Sequence, residues 1–189
     1  MDDYKVTTKS ISHYGKSVFQ KYEKDRMSLV DVCKIIRSEE YKEVTLHLRS
    51  IENEDDARQF KMKNFEHVRM SGVFYFNSDD GLKHHSGYIC IDLDHLDEDI
   101  REVSAKLILD PFFYTLILFT SPSGNGLKWV IPIDISQGGH RACFEAIAYY
   151  LKETYGLVAD PACINVSRTC FLPYDPECYA CKEILEQIV

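Results

Sequence analysis

The stretch SGYICIDLD, residues 86–94, decides how the chain is expected to fold. Its aliphatic residues occupy every second position up to Leu93, which is typical of a β-strand with one face in an apolar core. The same alternation places Asp92 and Asp94 side by side on the other face, where their charges repel. Mg²⁺ or Mn²⁺ relieves such repulsion and prefers carboxylate ligands, so the pair predicts a metal site. The alternative is that the strand ends at Leu93 and leaves both acids in a solvated turn.

A loop rich in glycine and serine follows a later predicted strand, in SPSGNGLK at residues 121–128. Small residues allow backbone N–H groups to converge on an anion, and the lysine adds a positive charge beside them. The same composition is also typical of a plain hairpin connection. The candidate phosphate-binding residues of this segment are Ser121, Ser123, Gly124, Asn125, Gly126 and Lys128.

A third segment, YGLVADPACINVSRTCFLP at residues 155–173, contributes one acid and one base. Asp160 follows the end of a predicted helix, and Arg168 lies near the start of an apolar run. In isolation, Asp160 is expected to cap the turn before Pro161 and Arg168 to form a surface ion pair. The functional alternative arises when the three segments are taken together.

The remaining segments predict helices and strands in alternation. Ser28 with Asp31 begins one helix, Asn53 begins a second, and Gly156 ends a long one. GVFYF and SGYICIDL are expected to pair as a hairpin around NSDDG. Three more strands and two more helices are predicted from the runs FFYTLILFT, LKWVIPI, INVSRTCFLP, HLDEDIREVSAKLIL and CKEILEQIV.

Strands with short connections, interleaved with helices, predict an α+β fold with a mostly antiparallel sheet, helices on one face and the other face free for chemistry. The length of 189 residues favours a single domain. Within it we expect a helical or irregular lead-in over 1–44, a core over 45–176, whose catalytic character is implied by the resemblance described below, and a terminal helix over 177–189. Residues 1–27 of the lead-in are expected to be irregular or strand-like.

Composition and charge exclude several classes of protein. With 45% hydrophobic and 28% charged residues, 9 Gly and 6 Pro, the chain is not disordered, collagen-like or of low complexity. The net charge of −8 argues against a protein that mainly coats nucleic acid. Residues 1–70 hold 14 basic against 13 acidic side chains and residues 71–189 hold 8 against 17, so a divalent metal is expected in the later part.

Cysteine usage and hydropathy favour a cytoplasmic protein. No apolar stretch is long enough for a membrane span, and the start of the chain lacks the apolar segment of a secretion signal. The seven cysteines are therefore expected to be reduced and buried. Zinc is the less favoured interpretation of Cys163, Cys170, Cys178 and Cys181, because they contain one closely spaced pair and Cys170 lies in an apolar run. Trp129 and the aromatic runs FYF and FFY are expected in the core rather than as base-stacking platforms.

Taken in order, the three segments resemble the motifs of the archaeo-eukaryotic primase superfamily, the primase-polymerases. That superfamily has an hhhDhD strand, a small-residue loop ending in histidine, and a later hydrophobic-Asp element. The corresponding stretches here are ICIDLD, SGNGLK and Ala159-Asp160. The wider pattern, with HHSGYICIDLDHL, SPSGNGLKWVIPI, GLVADPACINVSRTCF and YDP, looks most like the VirE N-terminal domain family of bacterial mobile elements. The resemblance spans about residues 45–176.

The resemblance implies a palm-like core related to the RNA-recognition fold. It implies a metal-dependent nucleotidyltransferase, a DNA primase or polymerase, acting in replication of a bacterial mobile element. Asp92, Asp94 and Asp160 would then be the catalytic residues and would hold two Mg²⁺ or Mn²⁺ ions. Lys128 and Arg168 would face the triphosphate of a nucleoside triphosphate, with single-stranded DNA as the template. A helicase on another chain, or on a C-terminal region outside this sequence, is the implied partner.

Lys128 stands where the superfamily usually has histidine. A lysine keeps a charge for phosphate at neutral pH but removes a titratable proton donor, which favours reduced or altered activity. The alternative function is therefore a catalytically weak, primase-like module that binds nucleic acid or nucleotide and recruits a helicase. A third interpretation is metal-dependent phosphodiester hydrolysis by the same acids.

Overall fold

The computed structural model describes residues 9–188. Residues 1–8 of the predicted lead-in and Val189 at the end of the predicted terminal helix lie outside the described residues. The helices and strands follow one another in this order: β1 (Ile11–Tyr14), β2 (Asp25–Met27), α1 (Leu29–Arg37), α2 (Lys42–Arg49), α3 (Glu54–Asn64), β3 (His67–Arg69), β4 (Gly72–Phe74), β5 (Leu82–His85), β6 (Tyr88–Leu93), α4 (Ile100–Ile108), β7 (Ile117–Thr120), β8 (Leu127–Pro132), α5 (Gly139–Tyr155), β9 (Cys170–Phe171), β10 (Tyr179–Ala180) and α6 (Lys182–Leu185).

The strands form three sheets. One has the order β2-β1-β3-β9, a second has the order β10-β7-β8-β6, and β4 pairs with β5. Every strand pairing within residues 9–188 is antiparallel, so the predicted α+β class with antiparallel strands is confirmed. The strands are divided among three sheets rather than gathered in the one expected. β1 of the predicted lead-in and β10 of the predicted terminal segment each pair with a strand of the predicted core.

The sheet that contains β6 and β8 lies between two hydrophobic clusters. On one side, alternate residues such as Ile91 and Trp129 pack against α4 and α5. On the other side, Phe119 and Val130 pack with apolar residues of α1. Helices therefore cover both faces, and the expectation of helices on one face with the other free is wrong. The part of the second face that opens to a cavity is the end where Asp92 pairs with Lys128.

Capping residues set the ends of three helices, as predicted. The Ser28 hydroxyl accepts a hydrogen bond from the N–H of Asp31, and the Asp31 carboxylate accepts one from the N–H of Ser28, which begins α1. Asn53 caps α3 in the same way through the N–H of Asp56. Gly156 ends α5 at φ 70°, a left-handed conformation that favours glycine.

The predicted hairpin has a different second strand. Gly72–Phe74 pairs with Leu82–His85, whereas Tyr88–Leu93 pairs along its whole length with β8. Ser86 and Gly87 separate β5 from β6. The Ser86 hydroxyl donates to the Met70 carbonyl, and the backbone turns at Gly87, which has φ 79°. The pairing of GVFYF with SGYICIDL was therefore wrong. The run LKHH lacks apolar alternation, which hides its strand from a pattern-based prediction.

Several other predicted elements are shorter than expected. The run FFYTLILFT contributes β7 alone, and INVSRTCFLP contributes the two residues of β9, because Pro161–Ile164 form a 3₁₀ turn before it. The terminal helix is limited to α6 and follows β10. The sequence analysis does not predict α2. No side chain caps the start of this helix, so the usual start signal is missing from the sequence. None of the helices in residues 9–188 has both the length and the apolar content to span a membrane.

Cysteines and aromatic residues divide between core and surface. The seven cysteines carry free thiols, and five of them are buried. Trp129 is fully buried, as predicted, and so is Phe74 of the run FYF. Tyr75, Phe112 and Tyr114 are 62%, 76% and 42% exposed, so placing both aromatic runs in the core was wrong for these three residues.

Candidate functional site

An open cavity of ≈650 Å³ lies at the end of β6 and β8. Residues of α2 and α3 form one wall, and the end of β6, the loop 121–125 and the segment 168–171 form the others. Its lining contains five basic and five acidic side chains, so it offers contacts for both anions and cations. The basic residues are Arg49, Arg58, Lys61, Lys128 and Arg168, and the acidic residues are Glu52, Glu54, Asp55, Asp92 and Asp94.

Two acids that line this cavity, Asp92 and Asp94, meet a third, Asp160, from a later part of the sequence. Asp92 lies within β6, Asp94 directly follows it, and Asp160 caps the 3₁₀ turn Pro161–Ile164. The N–H of Asp160 donates to the Asp92 carbonyl at 2.8 Å, which fixes the turn beside the strand. One carboxylate oxygen from each acid lies within 4.8 Å of the other two. Within residues 9–188 this is the one such group of candidate metal ligands, and the late cysteines form none.

The environments of the two neighbouring acids differ. β6 ends at Leu93, as the solvated-turn alternative required, but Asp92 is 4% exposed and belongs to the strand. Asp94 is exposed at the mouth of the cavity. Desolvation and the neighbouring Asp92 carboxylate raise the pKa of Asp94. Its negative charge is therefore incompletely compensated by the protein.

Two cations already contact the acid cluster. The Lys128 ammonium is 5% exposed and donates to Asp92 Oδ2, because β8 places it directly opposite Asp92. Arg168 donates to Asp160 Oδ2 and lies 3.7 Å from Asp92 Oδ2. Burial acts to lower the pKa of Lys128, but the Asp92 carboxylate holds it above its usual value. Lys128 thus carries a full positive charge inside the cluster.

One observation indicates that the three carboxylates suit a cation that prefers oxygen ligands. Asp92 Oδ1 is buried and has no hydrogen-bond partner, although Oδ2 of the same carboxylate binds Lys128. A buried oxygen without a partner costs free energy, which a cation bound at that oxygen would recover. Three carboxylates are ligands of the kind that Mg²⁺ and Mn²⁺ prefer.

The loop between β7 and β8 is shaped by close backbone contacts. The N–H of Ser121 donates to the Gly126 carbonyl at 2.8 Å, and the N–H of Gly124 donates to the Ser121 carbonyl at 3.0 Å. Both N–H groups are therefore hydrogen-bonded within the loop and are not free to bind an external anion. Ser121, Ser123 and Asn125 line the cavity, and Ser121 Oγ is buried without a partner. A Cβ on Gly126 would lie 2.5 Å from the Leu93 carbonyl oxygen, so glycine allows the loop to approach the Asp94 end of β6.

Sequence reasoning missed the basic residues of the helical wall. Arg49 at the end of α2 donates to the carbonyls of Pro122 and Ser121, and so holds the loop from the opposite side. Lys61 of α3 lies near the acids: burial and Lys128 lower its pKa, while Asp94 and Asp92 oppose that change. Arg58 and Lys61 are three residues apart and share a helix face, a spacing visible in the sequence. The strand end that this helix face contacts depends on packing, so the spacing alone does not predict it.

Comparison with known proteins identifies one family. The family model described as "BT4734-like, N-terminal domain" matches residues 60–179, which include the three acids, the loop, Lys128 and Arg168. Comparison with the curated proteins and with the solved structures found no match to the chain.

Proposed function

We propose that this chain, which belongs to the BT4734-like N-terminal domain family, is a metal-dependent nucleotidyltransferase of primase-polymerase type acting in replication of a bacterial mobile element. The observation that carries the proposal is the meeting of Asp92, Asp94 and Asp160 beside a cavity whose lining includes the basic residues Lys61, Lys128 and Arg168. The resemblance of the same segments to primase-polymerases supplies the reaction class.

Each residue of the site has a proposed role. Asp92, Asp94 and Asp160 would hold two Mg²⁺ or Mn²⁺ ions, which activate a 3′-hydroxyl and stabilise charge on the leaving pyrophosphate. Arg168 lies on the acid cluster yet is partly exposed, so its guanidinium can reach a triphosphate.

The loop and the helical wall would bind the rest of the nucleotide. Lys61 and Arg58 offer cationic groups on the helical wall of the cavity, which also carries Glu54 and Asp55. Ser123 and Asn125 offer side-chain hydrogen bonds from the loop. The nucleoside triphosphate would bind in this cavity, paired with a single-stranded DNA template. A helicase, on another chain or on a C-terminal region outside this sequence, is the proposed partner.

An extension assay tests this function. The protein is supplied with ribo- and deoxynucleotides, with and without a primer, in Mg²⁺ or in Mn²⁺. We expect labelled nucleotide to be incorporated, and expect Asp160→Asn to abolish incorporation while Asp97→Asn, at an exposed acid in the segment between β6 and α4, leaves it unchanged. Product analysis separates extension from hydrolysis. Incorporation that persists in Asp160→Asn would contradict the proposal.

The ion pairs favour a second candidate function, a catalytically weak module that binds nucleic acid or nucleotide and recruits a helicase. Lys128 and Arg168 together contact two of the three carboxylates, so the cluster is partly neutralised by the protein itself. Such a module would bind nucleotide or DNA without incorporating it under any of the assay conditions.

A further inference from the structure

Two adjoining loops expose three aromatic rings next to the cavity. Phe19 and Tyr22 lie in the connection between β1 and β2 and are 77% and 64% exposed, and Tyr75, which follows β4, is 62% exposed. Rings of this size are usually buried, so three together on the surface indicate a binding surface.

Asn77 joins the two loops. Its backbone N–H donates to the Lys21 carbonyl at 2.9 Å, and its side-chain amide donates to the carbonyls of Val18 and Gln20. The Asn77 side-chain oxygen accepts from Arg69, which is 2% exposed. The rings are therefore presented on a fixed backbone rather than on independent loops.

Two lysines give this surface a positive charge. Lys21 Nζ lies 5.5 Å from the centre of the Tyr22 ring, and Lys83 Nζ lies 5.1 Å from the centre of the Tyr75 ring. Among the described residues neither lysine forms an ion pair with a carboxylate. Asp79, the acid that begins the turn after Tyr75, accepts hydrogen bonds from the N–H and the hydroxyl of Ser167, and the exposed acid Asp80 follows it.

We propose that the aromatic-lysine surface formed by Phe19, Lys21, Tyr22, Tyr75 and Lys83 binds single-stranded nucleic acid. Its rings stack with bases, and its lysines contact the neighbouring phosphates. Exposed aromatic rings interleaved with unpaired cations are the arrangement that binds single strands without sequence preference.

The surface is continuous with the candidate site. Val18 lies beside Phe19 and lines the cavity, and its N–H donates to the Met62 carbonyl of α3 at 3.1 Å. A single strand of nucleic acid bound on the aromatic-lysine surface would therefore lead toward Asp92 and Asp94. The choice of partner rests on the proposed function, in which this strand is the template.

Binding of a fluorescent oligothymidylate, measured by anisotropy in EDTA without nucleotide, tests the surface. We expect Phe19→Ala, Tyr22→Ala and Tyr75→Ala each to weaken binding about five-fold or more, the effect of losing one stacked base. Lys21→Ala and Lys83→Ala are expected to reduce the dependence of log affinity on log salt by about 0.7 each. The matched controls are Phe112→Ala and Tyr149→Ala, which remove equally exposed rings elsewhere and are expected to leave binding unchanged.

Three outcomes would overturn this assignment: no binding by the wild-type chain, unchanged binding by the variant lacking all three rings, or equal losses in the two controls. Unchanged binding by that variant is also the result expected if the rings form a protein interface. Failure of the proposed function is distinguishable, because a wild-type chain that binds oligothymidylate through these rings but incorporates no nucleotide would keep this surface and contradict only the proposed function.

Discussion

At the scale of single residues, the buried pair of Lys128 and Asp92 determines how the acid cluster behaves without metal. Both side chains are 6% exposed, so removing one partner leaves an uncompensated buried charge. We expect Lys128→Met to lower the free energy of unfolding by about 3–5 kcal/mol in EDTA. Mn²⁺ is expected to restore part of that loss, because a cation would again face Asp92.

Urea unfolding of the wild type and of Lys128→Met, each in EDTA and in Mn²⁺, measures both effects. Lys106→Met is the matched control, since it breaks a half-exposed ion pair with Glu98 that contributes little. An equal loss of stability in EDTA and in Mn²⁺ would show that the acids gain nothing from a divalent cation.

His67 predicts a pH dependence away from the site. It is fully buried, and its ring stacks on Tyr14 at 5.2 Å. Burial, with the neighbouring Arg69 and His13, lowers the pKa of His67 to about 3. The unfolded chain takes up a proton below about pH 6.5 while the folded chain stays neutral, so stability is lost as the pH falls.

His67→Phe should remove this loss, because phenylalanine fits an apolar site and cannot be protonated. Between about pH 7.5 and pH 5, the free energy of unfolding of the wild type should fall by about 2 kcal/mol more than that of the variant. Chemical denaturation at the two pH values measures the difference. His84→Phe, at an exposed position, should keep the wild-type dependence.

At the scale of elements, the loop before β8 depends on the close approach of Gly126 to β6. A Cβ at this position would lie 2.5 Å from the Leu93 carbonyl oxygen and 3.1 Å from Asp94 Cα, both backbone atoms that cannot move aside easily. We expect Gly126→Ala to destabilise the fold by about 1–3 kcal/mol and to displace Asp94. Urea unfolding measures the first effect, and Mn²⁺ affinity measures the second. Ser123→Ala, which adds no atom to the same loop, should change stability little.

Local signals predicted the elements that capping and alternation define. Ser28, Asn53 and Gly156 mark helix ends through their own hydrogen bonds or backbone conformation, so neighbouring sequence suffices to find them. The second strand of the hairpin was missed because LKHH is held by pairing with β4 and not by an apolar face. Strand pairing depends on distant residues, which local patterns do not contain.

The same difference between local signals and contacts of distant residues applies to the candidate site. Alternation along β6 predicted that Asp92 and Asp94 lie side by side, and the order of the three segments pointed to Asp160; one oxygen from each of these acids lies within 4.8 Å of the other two. The ion pair between Lys128 and Asp92 follows from the register of β6 and β8, which no local pattern specifies. Arg49 reaches the loop 72 residues away, a contact set by how α2 packs.

At the scale of the whole molecule, the acid cluster joins segments that the fold brings together from residues 92 to 160. A ligand that binds the folded chain but not the unfolded chain stabilises it by mass action, about 2.7 kcal/mol at 100 times its Kd. For a chain of this length that corresponds to a rise in Tm of about 5–10 °C. We therefore expect saturating Mn²⁺ to raise the Tm of the wild type relative to EDTA by about this amount.

Acid variants assign that rise to the cluster. Asp94→Asn removes a charge whose pKa is raised by desolvation and by Asp92, so the variant should be slightly more stable than the wild type in EDTA at neutral pH. Because it also removes a ligand, its Tm should rise much less with Mn²⁺. Asp97→Asn should show the full wild-type rise. Scanning calorimetry of the three chains in EDTA and in Mn²⁺ makes the comparison, and an equal rise in Asp94→Asn would place the cation outside the cluster, since a change of one ligand must weaken a site to which it belongs.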